Sequence, residues 1–291
     1  MKLRLLPLIL VFFISFSAVA QKTFVEFIGE SDRIFFDGVF ANSTFAKDHK
    51  AEIKQKAITK ANLAPKRIGL ISMYVFEENF QRRKAHLTYI YSKEGELNYF
   101  INNISSNALQ GLTAAFEGSG YELVLPEEFL KGANAKAALD ATLEEVSTFS
   151  DPFIQAIQSY DLTPSAEGQL FVHNWVEEGT NGYIADLMAQ LAKDLGLDAL
   201  LTVKISSLYQ TNTISFSSVD FLMHGINPAG DELEQGIILS NYMLYPDYPY
   251  PFVSVRNGKT SSERFGAFRK LLERSGKDFL KFTTDEIDDA F

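Results

Sequence analysis

Four histidines, at positions 49, 86, 173 and 224, are the only imidazoles in the 291-residue chain, and it has no cysteine. That rules out disulfides, thiolate metal sites and cysteine nucleophiles. No His-x-x-x-His or His-Glu-x-x-His spacing occurs, so no metal site and no cofactor are expected. His224 stands at the end of an apolar run beside Gly225, and His173 lies near Trp175 in a stretch without periodicity. No Gly-x-Ser-x-Gly elbow places a serine for either one. Structural histidines are the better account. A secreted hydrolase acting on an ester, peptide or glycan, with His173 or His224 as base, is the competing one.

Gly118-Ser119-Gly120 has the look of a phosphate loop, but it follows a helical pattern and precedes a strand-like one. Phosphate binding needs the reverse order, which aims helix amides at the anion, so a helix cap is expected here. Acidic pairs occur at Glu77-Glu78, Glu127-Glu128, Glu144-Glu145, Glu177-Glu178 and Asp288-Asp289. Adjacency in sequence does not set two carboxylates across a cleft, so these read as solvated faces. The Asp285-to-Asp289 cluster lacks the spaced loop and central glycine of a calcium site, and a cap of Thr283 with Glu286 is the expectation there.

The segment Tyr242 to Phe252 (YMLYPDYPYPF) is the most distinctive. Pro246, Pro249 and Pro251 forbid a regular central strand and favour an extended, preformed backbone. Tyr242, Tyr245, Tyr248, Tyr250 and Phe252 then form a candidate partner-binding set, with Trp175 a second candidate. Either these rings are presented at an interface, or the loop folds over the sheet and buries them.

The elements that would carry these residues follow an export pattern. Lys2 and Arg4, the apolar Leu5–Phe16 and Ala18-Val19-Ala20 predict a signal peptide over 1–20, cleaved before Gln21. Without Lys2 and Arg4 the chain carries 25 Lys and Arg against 37 Asp and Glu, a net charge of −12. That balance argues against nucleic acid, and Arg82-Arg83-Lys84 is too short a basic cluster to offset it. No other stretch is long enough for a transmembrane helix. An exported chain without disulfides points to a bacterial periplasmic or extracellular protein, soluble after cleavage.

Residues 21–65 read as an amino-terminal arm packing on the main domain, with short strands over Phe24–Ile28 and Ile34–Val39 and a polar helix over Ala46–Asn62. Arg67–Phe76 and His86–Ser92 read as strands. Leu97 to Phe116 recurs at helical spacing, and Tyr121–Pro126 returns to a strand. Strand, helix, strand predicts a βαβ crossover with parallel pairing. Residues 127–180 form a mostly helical insertion that ends in an irregular connection. Ile184–Leu195 is an amphipathic helix capped by Gly196. Leu201, Val203 and Ile205 alternate with Thr202, Lys204 and Ser206, predicting a strand with one solvated face. From Thr211 to His224 the apolar phase slips, and a bulge at Ser217-Ser218 would reconcile it. Gln235–Tyr245 completes an antiparallel meander. A last helix follows the capping box Thr260–Glu263 and ends at Gly276. The fold class expected is α/β: one domain over 66–291, a mixed sheet with helices packed on it.

Lys66-Arg67-Ile68-Gly69-Leu70-Ile71, the helix and turn over Ser105–Gly120, Glu122–Leu125 and Leu195-Gly196-Leu197-Asp198-Ala199-Leu200-Leu201 together resemble the TolB amino-terminal domain and the curli-secretion-type envelope lipoproteins. The resemblance covers about 67–126 and 183–245. It departs from that pattern in having no lipobox cysteine and in the insertion at 127–180. It implies a binding or assembly role in the envelope and supplies no catalytic residues. The function expected is therefore a non-catalytic binding module recognising another envelope protein. Carriage of an apolar ligand by the phenylalanine-rich interior is a third reading, although core packing accounts for those rings equally well.

Overall fold

The computed structural model describes residues 23–43, 50–56, 58–60, 64–77, 94–149, 182–210, 213–228, 235–254 and 265–291. The expectations for the signal segment, the strand at 86–92, the irregular stretch around Trp175 and the capping box at 260–263 lie outside these residues. Nearest the amino terminus are two short helices, α1 (Phe24–Ile28) and α2 (Asp32–Phe35), where the sequence reading expects strands. A local capping box decides the difference. Thr23 Oγ1 accepts from the Glu26 amide, and Glu26 returns a carboxylate oxygen 2.6 Å from the Thr23 amide. With the turn started, Phe24, Phe27 and Ile28 fall on one helical face and bury.

The chain continues through β1 (Val39–Asn42), α3 (Lys50–Gln55) and β2 (Arg67–Glu77), then α4 (Glu94–Phe116) and β3 (Glu122–Val124). Next come α5 (Pro126–Phe129), α6 (Ala133–Phe149), α7 (Gly182–Asp194), β4 (Ala199–Gln210) and β5 (Thr213–Ile226). The last elements are β6 (Gly236–Leu244), β7 (Tyr250–Ser254) and α8 (Gly266–Asp289). Seven strands form one mixed sheet in the order β1-β6-β5-β4-β2-β3, with β7 paired to the first residues of β5. β2 lies parallel to both β3 and β4, and β4, β5 and β6 form an antiparallel meander. This is the α/β class that the periodicity predicts.

The sheet is covered on both faces. On one, α1, α2, α4 and α8 close over Leu70, Met73, Leu201, Val203, Phe216, Phe221 and their neighbours. On the other, α5, α6 and α7 cover Ile71, Val124 and Leu200, and Ala185 of α7 seats on Leu222 and Ile238. The bulge falls where the phase slip places it: Ser206 pairs with Ser218 and Ser207 with Phe216, with Ser217 as the extra residue between them.

The Leu195–Leu201 motif has a physical role in joining α7 to the sheet. Gly196 takes φ +67°, which lets α7 end. Asp198 then accepts from the amides of Lys66 and Arg67 at 2.8 Å each, and Arg67 Nη1 donates to the Gly196 carbonyl. One carboxylate thus fixes the parallel start of β2 beside β4.

α4 and α8 run side by side in the same direction. Gly111 faces Arg269, Ala115 faces Gly276, and Tyr121, just beyond α4, meets Thr284. Gly276 therefore does not end the last helix. It lies inside α8, where a Cβ would stand 2.8 Å from that of Ala115. Thr283 is not a cap either. It is buried in mid-helix, donating to Ser240 Oγ or to the Phe279 carbonyl. Among the described residues no helix is long and apolar enough to cross a membrane.

Candidate functional site

The proline-spaced segment spans the end of β6, a five-residue connection and the start of β7. Its two ends are anchored in the core. Tyr242 is 1% exposed, its ring edge-on to Phe221, and its hydroxyl donates to Asp278 Oδ2 at 2.6 Å. Burial, reinforced by that carboxylate, pushes the Tyr242 hydroxyl far above its ordinary range. Tyr250 stacks on Phe27 with centroids 4.3 Å apart, and Phe252 lies between Phe24 and Phe268 at 5.7 and 5.1 Å. These three rings are core, so they leave the set that a partner could touch. Pro251 is accommodated because β7 pairs only with β5 among the described strands, and the register shifts between Ile214 and Ser215 beside it.

Between the anchors, Tyr245 and Tyr248 remain 44% and 39% exposed. The Tyr245 amide donates to the Gly38 carbonyl at 2.7 Å, and a Cβ on Gly38 would fall 1.7 Å from the Tyr245 oxygen. A glycine is required there for the two backbones to meet. The Tyr248 ring rests 4.6 Å from that of Tyr250. Phe40 of β1, paired in register with Met243, adds a 47% exposed ring on the adjacent strand. Trp175 lies outside the described residues.

His224 is 1% exposed on β5, in register with Leu200 on one side and Ile238 on the other. Its imidazole is therefore a buried group within the sheet. His49, His86 and His173 lie outside the described residues.

The strand face expected to be solvated is instead covered. Thr202 is 1% and Ser206 3% exposed, and Lys204 approaches Asp220 of β5 at 4.0 Å with both side chains largely buried. Ser72 pairs with Thr202 in register, and its hydroxyl is buried without a hydrogen-bond partner among the described residues. A row of polar groups thus crosses β2, β4 and β5 where the same face elsewhere carries Leu200, Leu222 and Ile238. Sequence reasoning missed it because alternation alone cannot tell a wet face from a covered one. The available signal was that Lys204 and Asp220, of opposite charge, come opposite each other across β4 and β5 once the one-residue bulge is counted.

No family model, no curated protein and no solved structure matches the chain.

Proposed function

We propose that the protein is an exported, non-catalytic binding module of the bacterial envelope that recognises another envelope protein through the connection between β6 and β7. The observation that carries this is the contrast within one segment. Tyr242, Tyr250 and Phe252 lock both ends into the core, while Tyr245 and Tyr248, each followed directly by a proline, stand half-exposed between them. Rings held on a backbone already fixed lose little conformational freedom on binding, which is the economy of aromatic anchors at interfaces. Export rests on the amino-terminal pattern, and the resemblance to envelope assembly domains agrees with it. The phenylalanines invoked for an apolar carrier stack on one another instead. Phe24 lies 4.6 Å from Phe268 and Phe221 5.0 Å from Phe279, which is the geometry of core packing.

The test is site-specific photocrosslinking in the producing cell, with a benzophenone amino acid at position 245 or 248 and, as control, at the equally exposed Phe291. One adduct of defined mass from 245 and 248 and none from 291 is the expected result. The Tyr245→Ala/Tyr248→Ala variant should lose the complex while melting within a degree or two of the parent. Adducts of equal yield at all three positions, or a complex that survives the double variant, would discard this surface.

A further inference from the structure

The carboxyl end of α4 and the middle of α8 enclose a cleft of about 310 Å³, at the small end of the range for ligand sites. Its chemistry is specific. Ala115 and Leu280 supply an apolar base, and Lys277 and Lys281, one turn apart on α8, line the same wall. Two ammoniums at that spacing repel, and an anion between them relieves the repulsion. Glu117 is the carboxylate in the lining and Lys277 is paired with Glu273 at 2.7 Å, which leaves Lys281 as the lining ammonium available to an anion.

The hydroxyls of the cleft have a definite polarity. Thr284 Oγ1 donates to the Leu280 carbonyl at 2.9 Å, so in its 2.8 Å contact with Tyr121 the tyrosine is the donor. Ser119 donates to the Phe116 carbonyl and accepts from the Tyr121 amide. All three hydroxyl protons are spent, and the capacity left on these oxygens is to accept. Gly118, at φ +73°, also lines the cleft, with nothing within 4 Å of where a Cβ would stand. A ligand that fits must bring its own hydroxyl donors, a small apolar face and an anionic acceptor for the lysines.

We propose that this cleft binds a hydroxylated carboxylic acid of monosaccharide size, a uronic-acid unit being the simplest molecule with all three features. The site is separate from Tyr245 and Tyr248, and either can fail without the other. Saturation-transfer NMR on the full chain, titrating sodium glucuronate, glucose and acetate separately, tests it. Glucuronate should bind at least tenfold tighter than glucose, which lacks the charge, and than acetate, which lacks the ring. Lys277→Gln/Lys281→Gln should weaken glucuronate at least tenfold with an unchanged melting curve, and Tyr121→Phe should weaken it severalfold by removing one acceptor. A trimer of galacturonate binding tighter than the monomer would place the unit within an acidic polysaccharide. Equal affinity would assign the site to the free acid. Glucuronate no tighter than acetate, no saturation transfer at all, or affinity unchanged in the double lysine variant would each overturn the proposal.

Discussion

Gly111 sits within α4 where α8 comes closest. A Cβ added there would stand 2.0 Å from the Arg269 carbonyl oxygen and 2.8 Å from its carbon, against the roughly 3.5 Å at which non-bonded atoms attract. Both opposing atoms are backbone, so no rotamer change relieves the overlap. The helices must part by about 1 Å or more, which loosens Ala108, Leu112, Phe268, Leu271 and Leu272, all buried around that seam. Overpacking of this kind costs about 1–3 kcal/mol, and a backbone clash between two long helices belongs at the upper end. Alanine in a helix interior gains about 1 kcal/mol of propensity over glycine. The clash wins, and Gly111→Ala should lose about 2 kcal/mol net, a fall in Tm of roughly 4–8 °C. Urea unfolding followed by far-ultraviolet circular dichroism reads this directly. Gly266→Ala is the control: it opens α8, its Cβ would meet nothing within 4 Å, and it should gain about 0.5 kcal/mol. If both variants stabilised equally, the close approach of α4 and α8 would not be what holds Gly111 in place.

Lys204→Met removes the cation 4.0 Å from the largely buried Asp220 carboxylate, and should lose up to about 3–5 kcal/mol in chemical denaturation. Adding Asp220→Leu should restore wild-type stability or exceed it, since apolar pairs of that volume often outperform buried ion pairs. A double variant weaker than the single one would refute this. Burial and Asp278 keep Tyr242 protonated in the folded state at pH values where the unfolded chain, with its tyrosines near pH 10, has released the proton. Its contribution is therefore intact below about pH 10 and is lost as pH rises beyond it, at up to about 1.4 kcal/mol per pH unit. Tyr242→Phe should remove that slope from stability measured between pH 9 and 11, and parallel curves would contradict the assignment. Arg274 donates to the Ile28 carbonyl and to Asp32 at 2.7 Å each, while its guanidinium lies 3.8 Å over the Phe35 ring. Arg274→Lys keeps the charge but loses the fork and the stacking, and should cost about 1 kcal/mol in thermal melts.

Local pattern is strongest where one side chain's environment repeats along an element. The parallel β2-α4-β3 unit, the amphipathic α7, the β4–β6 meander and the bulge at Ser217 were all legible, because apolar periodicity states directly which face meets the core. The turn glycines were legible as well: Gly118 and Gly196 take the positive φ that no other residue adopts cheaply. In the arm, Phe24, Phe27 and Ile28 fit a strand or a turn of helix equally, and only the Thr23–Glu26 hydrogen bonds broke the tie.

What the sequence determined by itself is therefore the class of fold, the parallel unit and the meander within it, and the segment with the unusual tyrosines. Depth was decided in three dimensions. Which of five aromatic residues between positions 242 and 252 face solvent depends on how β6 and β7 share the edge of β5, a pairing set by partners 10 to 41 residues away in the chain. Whether Gly276 ends a helix or lets two helices touch depends on Ala115, more than 150 residues earlier. Whether Lys204 is wet or buried depends on what covers its face of the sheet. Periodicity reports the direction a side chain points. Burial also requires knowing what lies there, and that is fixed by contacts between residues with no neighbourhood in sequence.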